Sequence, residues 1–238
     1  MRARKPLSGQ SSVEFLVALP VLILLLFGII QFALIYQARA TLNHATMLAA
    51  RAGAVNNGSR TAMRAALARG LTPLFAAKPT DGAYTDAWKK ARTEETLATL
   101  ATLTVLNPTR AAFGDFAQAR LDGKAGRELP NDTLNYRNTA PGGASRISIQ
   151  DANLLHLRVT YCYRLIVPVL DRVIYATVNA LSSSDSSLSA NGMSDPFGTI
   201  GARTRPNCIN PVARGEHRIE IRSEAFVRMQ TPFYDSNL

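Results

Sequence analysis

The stretch from Gly9 to Tyr36, GQSSVEFLVALPVLILLLFGIIQFALIY, constrains this chain more than any other. No charge falls between Phe15 and Ala38, and Leu16 to Ile30 is apolar throughout, interrupted only by the weak helix formers Pro20 and Gly28. A charge-free run of about 24 residues, at ~1.5 Å each, makes a helix of roughly 36 Å. That length crosses a hydrocarbon core of about 30 Å with some tilt. Arg2, Arg4 and Lys5 precede the run, and the first charge after it is Arg39. The positive-inside rule then keeps the N-terminus in the cytoplasm and sends everything after Tyr36 across the membrane.

Three readings of this stretch compete. A plain signal anchor is the simplest. A cleaved secretory signal is the second, since Ala38-Arg39-Ala40 fits the A-x-A pattern. Its apolar core is too long for that, because cleavable signals carry about 7–15 apolar residues. The third starts from Glu14, at the N-terminal edge of the apolar run. A carboxylate costs about 2–3 kcal/mol or more at the centre of a bilayer, so it is usually interfacial or paired. At the interface Glu14 costs little.

A basic leader, Gly9, four residues, then Glu14 and a long apolar helix resembles the prepilin-peptidase signal of type IV pilin-like proteins. The resemblance implies cleavage between Gly9 and Gln10, with Glu14 fifth in the mature chain. The new amine on Gln10 would lie four residues before Glu14 on the same helix face. In the same subunit or a neighbour, it would neutralise the carboxylate when helices pack. More specifically, Val13-Glu14-Phe15, Leu19-Pro20, Gly28-Ile29-Ile30-Gln31-Phe32 and the small, polar helix running to Ala52 resemble the TadE-like family. These are minor pilins of the Tad (tight adherence, Flp) pilus. The family often has an acidic residue where Gln31 stands. The resemblance covers about the first fifth of the chain.

It implies a pilin-like division: a basic leader over 1–9, a transmembrane and assembly helix over 10–55, and an extracytoplasmic α+β domain over 56–238. It also implies a single-pass protein of the inner membrane with a periplasmic C-terminal domain. The implied partners are the membrane, other pilins or pseudopilins, prepilin peptidase and the inner-membrane platform of the pilus. The alternative from another class is a signal-anchored periplasmic hydrolase or binding module.

Of the 238 residues, roughly 200 lie beyond the apolar run, enough for one domain with its own core. A hydrophobic content of 47% with 18% charged excludes a disordered tail. The net charge of +10 is spread as single arginines beyond the leader, which reads as a solvated surface. No nucleic-acid partner is expected.

Gln37 to Ala52 is alanine-rich and free of glycine and proline, so the membrane helix continues beyond the bilayer. Its small residues allow close approach, either between subunits or to its own domain. Gly53 and Asn56-Asn57-Gly58 close it. Ser59 caps a second helix with Met63, Ala66, Leu67 and Leu71 at helical spacing, ended by Thr72-Pro73. Lys78 to Gly82 is a loop. Thr85 to Thr99 reads as a third helix that buries Trp88, Ala91, Leu97 and Leu100.

Leu100 to Leu106 is a strand candidate. Asn107-Pro108-Thr109 turns into a short helix around Phe113 and Phe116, and Arg120 to Arg146 is mostly loop. Strict alternation marks Leu155–Tyr163 and Arg218–Met229 as half-buried antiparallel strands. In the second, Ile219, Ile221, Ser223, Ala225, Val227 and Met229 face one way; Arg218, Glu220, Arg222, Glu224, Phe226 and Arg228 face the other. The expected fold is therefore α+β: a long N-terminal transmembrane helix extending into a globular head with helices packed on an antiparallel sheet. Leu165 to Leu181 reads as a buried helix beginning near Pro168, or a continued strand. Asp171 and Arg172 at its middle argue against a second span. Ser182 to Asp195 reads as a serine-rich loop.

The two cysteines, Cys162 and Cys208, are an even count on an oxidising side of the membrane, which favours a disulfide over two free thiols. Their spacing matches no metal or redox motif. His44, His156 and His217 lack carboxylate or cysteine neighbours at ligand spacing. No nucleophile-elbow, zinc-protease or phosphate-loop pattern appears, so no catalytic residue, metal or cofactor is expected.

Overall fold

The computed structural model describes residues 10–76, 82–96, 100–184, 208 and 216–238. Helix α1, Gln10–Val55, is one uninterrupted rod of 46 residues. At ~1.5 Å per residue it is about 69 Å long, roughly twice a bilayer core. Then follow α2 (Arg60–Leu71), α3 (Ala83–Thr96), β1 (Ala101–Asn107), α4 (Arg110–Phe116), β2 (Gln118–Ala119) and β3 (Arg127–Leu129). The chain continues through α5 (Ile149–Ala152), β4 (Leu154–Arg164), α6 (Leu170–Ser184), β5 (Arg218–Arg228) and β6 (Phe233–Tyr234). The fold is α+β, with a long apolar N-terminal helix entering a head of helices and antiparallel sheets.

The main sheet has the order β1-β4-β5 and is antiparallel throughout. Alternation dictates its two faces: Leu155, Leu157, Val159, Tyr161 and Tyr163 of β4 are buried, as are Ile219, Ile221, Ser223 and Ala225 of β5. Their cover is the second half of α1, which packs on β4 and β5 and also on α2. Ala38, Leu42, Ala45, Ala49 and Ala54 line its buried side. Small size is what the contact demands: a Cβ on Gly70 of α2 would lie 2.5 Å from the Ala45 Cα.

The strands run alongside α1. At one end the Val167 N–H donates to the Gln31 Oε1 at 2.9 Å; at the other the Gln230 N–H donates to the Ala54 carbonyl at 3.0 Å. The helix stops where Asn57 and Gly58 take positive φ (55° and 74°), and the Gly58 N–H bonds back to the Gly53 carbonyl at 2.9 Å. Only glycine fits at 58, because a Cβ would sit 2.2 Å from the Phe233 ring. Ser59 caps α2 by accepting from the Ala62 N–H, and Thr109 caps α4 by accepting from the Ala112 N–H. A second small sheet, β2-β3-β6, seats Phe233 edge-on to Phe113.

Four details depart from the sequence expectations. The segment after Pro168 is helical, but it is not buried: Val169, Val173 and Val178 are exposed, while Leu170 is covered. This helix runs on to Ser184, into the expected serine-rich loop, whose residues 185–195 lie outside the described set. Arg218, placed by alternation on the wet face of β5, is buried because its Nη1 donates to the Cys162 carbonyl at 2.9 Å. Trp88 is half-buried beneath the Arg92 guanidinium, 5.3 Å from the ring centroid, rather than in the core. The expected loop at 78–81 and Leu97 lie outside the described residues.

Candidate functional site

Among the described residues one helix is long and apolar enough to cross a membrane, and it is α1. Between Phe15 and Ile30 its large apolar side chains are exposed on all sides of the rod. A helix apolar all round has no wet face to offer, so it belongs in lipid or among other helices. Glu14 stands exposed just ahead of this zone. Gln10 opens the described helix, and Gly9, the other half of the expected cleavage site, lies outside the described residues.

Gln31 marks the change from bare helix to covered spine. It is fully buried, and its Oε1 holds the loop before α6 through the Val167 N–H. Its Nε2 is buried with no hydrogen-bond partner among the described residues. An amide oxygen meets this N–H without placing a formal charge at the edge of the apolar zone. Gln31→Leu should leave the Val167 N–H buried and unsatisfied. The expected cost is about 1–3 kcal/mol, read as a lower unfolding midpoint with faster hydrogen exchange at 165–170. Unchanged exchange there would show that the hydrogen bond does not hold the loop.

Beyond Gln31 the helix is two-sided. One side, from Ala38 through Ala54, packs into the head, so these small residues serve the chain's own fold. The other side carries Tyr36, Ala40, His44, Met47 and Arg51, all exposed and spaced as a helical stripe. That stripe prolongs the bare apolar surface of the first half along the outside of the head.

Cys162 and Cys208 form a disulfide with Cα atoms 5.5 Å apart. Both sulfurs are buried, in a small cluster with Leu100. The bridge sits at the Gln31 end of the sheet, where Tyr163 pairs with Ile219 and the Leu165 N–H bonds to the His217 carbonyl.

Two of the three histidines, His156 and His217, meet a carboxylate in space. His156 Nε2 lies 2.8 Å from Glu224 Oε2 and its ring stacks on Phe226 at 3.9 Å; His217 Nδ1 lies 2.8 Å from Asp171 Oδ2. Burial pushes the Asp171 carboxyl up, but hydrogen bonds from His217 and the Arg172 N–H outweigh it and hold the group below the usual carboxylate range. Glu224 is likewise pushed up by burial and held down, on balance, by Arg158 and His156. Each is a pair of neighbours across strands or at a helix start. No group of three or more His, Cys, Asp or Glu side chains fit to hold a metal occurs among the described residues.

Residues 9–51 match the family model described as TadE-like protein. The match falls on the long helix, which is similar to this family over those residues. No curated protein and no solved structure matches the chain. The TadE-like match spans the bare half of α1 and most of the packed half, and stops a turn short of Val55. It thus covers most of α1 and none of the elements after it.

Proposed function

We propose that this chain is a minor pilin or pseudopilin, a structural subunit for assembly of a Tad-type pilus or a related secretion or adhesion apparatus. The observation that carries the reading is a TadE-like helix whose first half is bare apolar surface and whose second half keeps one stripe open along the head. The helix anchors the subunit in the inner membrane with its N-terminus in the cytoplasm and its head in the periplasm. Prepilin peptidase cuts between Gly9 and Gln10. The subunit then associates with other pilins on the inner-membrane platform, and the head primes assembly or is presented on the fibre. No catalytic step belongs to this role.

Cutting at the competing A-x-A pattern is disfavoured on structural grounds. Ala38-Arg39-Ala40 lies within continuous helix, and Ala38 is buried against the head. A chain beginning at Thr41 would lose Gln31, the acceptor for the Val167 N–H, and the buried Ala38. Co-expression with a prepilin peptidase should yield a mature chain that begins at Gln10, and Gly9→Val should abolish the shift in mass. Mass spectrometry finding Thr41 first would instead favour a secreted hydrolase or binding module.

A further inference from the structure

We propose that the loop and first helical turn from Ile166 to Val173 form a second membrane contact, seated at the boundary between lipid headgroups and acyl chains beside α1. The inference rests on α1 being a membrane anchor. It starts from length. The charge-free apolar surface of α1 begins at Phe15 and continues past the buried Gln31 through Phe32, 68% exposed. A hydrocarbon core of about 30 Å takes about 20 residues of helix, so from Phe15 it ends in the neighbourhood of Leu34. Tyr36, 78% exposed, is then placed as an interfacial aromatic.

The Gln31–Val167 hydrogen bond ties the loop to α1 at this level. Here the chain turns apolar side chains outward, with Ile166 at 61%, Val169 at 63% and Val173 at 53% exposure. They flank a recess whose open surface is mostly apolar, lined by Pro168, Val169 and Val173 together with Arg172 and with Asp171, which His217 holds at 2.8 Å. Elsewhere on the head such a patch would face water. Here it continues the apolar surface of α1 sideways, at the height where lipid replaces water. Arg172 is exposed beside it, and Arg164, its side chain 61% exposed and paired with Glu216 at 3.2 Å, stands at the adjoining end of β4. Long cationic side chains next to an apolar patch suit the phosphates of an anionic leaflet, with the stems along the apolar surface and the charges among the headgroups. Two anchor points also fix tilt: α1 alone leaves the head free to lean, whereas a patch held at Gln31 sets which side of the head faces the bilayer.

The test uses the full chain in vesicles of phosphatidylcholine and phosphatidylglycerol. Spin labels are attached singly after Val169→Cys and Val173→Cys. Leu25→Cys, in the bare span, and Tyr136→Cys, 92% exposed at the far end of the head beside Arg228 and Met229, serve as references. Collision with oxygen is compared with collision with a water-soluble nickel complex. At 169 and 173 the oxygen-to-nickel ratio should exceed that at 136 several-fold and approach that at 25. Ratios at 169 and 173 equal to that at 136, with 25 still in lipid, would overturn the second contact and leave the anchor standing. A water-like ratio at 25 would overturn the anchor reading itself. Labels at 169 and 173 shielded from both probes would show a protein chain covering the patch and would equally overturn the proposal.

Discussion

Replacing Cys162 and Cys208 together by alanine should destabilise the head by about 3–4 kcal/mol in the chain-entropy account of cross-links. The bridge spans a sequence separation of 46, so breaking it releases a long loop in the unfolded chain while the folded chain gains nothing in return. Against a total stability of about 5–15 kcal/mol for an ordinary domain, that is a large fraction. Alanine is the better replacement, because both sulfurs are buried with Leu100 and a serine hydroxyl would be left without a partner there. Denaturant unfolding in micelles, followed by the lone Trp88, reads the effect: the midpoint should fall, with the slope little changed. Damage should be greatest at the Gln31 end of the sheet, where the Cys162 carbonyl receives Arg218 and the start of β5 is held. A double variant as stable as the parent would mean that the bridge closes a loop already restrained by other contacts. Thiol labelling of the unreduced, unfolded parent should find neither cysteine. Labelling of both would contradict the bridge itself.

The parts of this fold that are legible in sequence are those governed by a single period. Alternation in Leu155–Tyr163 and Ile219–Ala225 is enough to place the core face of the sheet, because one face must be covered. The length and uniform apolarity of α1 are likewise sufficient for its existence. What escapes is whatever depends on who the neighbour is. Arg218 obeys the period of β5 yet is buried, because a carbonyl and a carboxylate converge on it at the bridged end. Phe226 points outward as alternation requires, and there finds His156, a partner set by strand register. His156 and Glu224 are 68 residues apart in sequence, so no spacing rule brings them together. The apolar run through Val169 and Val173 looks like core because hydropathy does not distinguish a covered side chain from an exposed one. Gln31 is visible in sequence only as a polar interruption of the apolar run; its bond to Val167, 136 residues away, is set by the fold. The small residues of the second half of α1 were ambiguous between subunit contact and self-contact. The closeness of Gly70 to Ala45 assigns that side to the chain's own head and leaves the opposite stripe open.

Glu14→Gln should leave insertion intact and abolish association. The substitution keeps the size of the side chain and removes only its charge. Membrane insertion depends on the apolar run that follows, and Phe15 through Ile30 are untouched, so membrane levels should not fall. Assembly is different. The proposed cleavage after Gly9 would leave an amine on Gln10, and when helices pack in the apolar zone that amine would be taken out of water together with its neighbours. Glu14, four residues on along the same face and exposed at the edge of the bare surface, is placed to answer it in its own subunit or the next. With glutamine there, the amine is buried with no opposite charge. Leaving one member of a buried pair uncompensated costs about 3–5 kcal/mol, which lowers an association constant by more than a hundredfold. Crosslinking of the subunit to other pilins, and pilus yield, are compared at matched membrane levels. Both should collapse in the mutant while its fractionation with the membrane is unchanged. If crosslinking and piliation persist, Glu14 is an interfacial carboxylate that sits among headgroups at little cost, and helix packing must rest on the apolar surface of α1 alone.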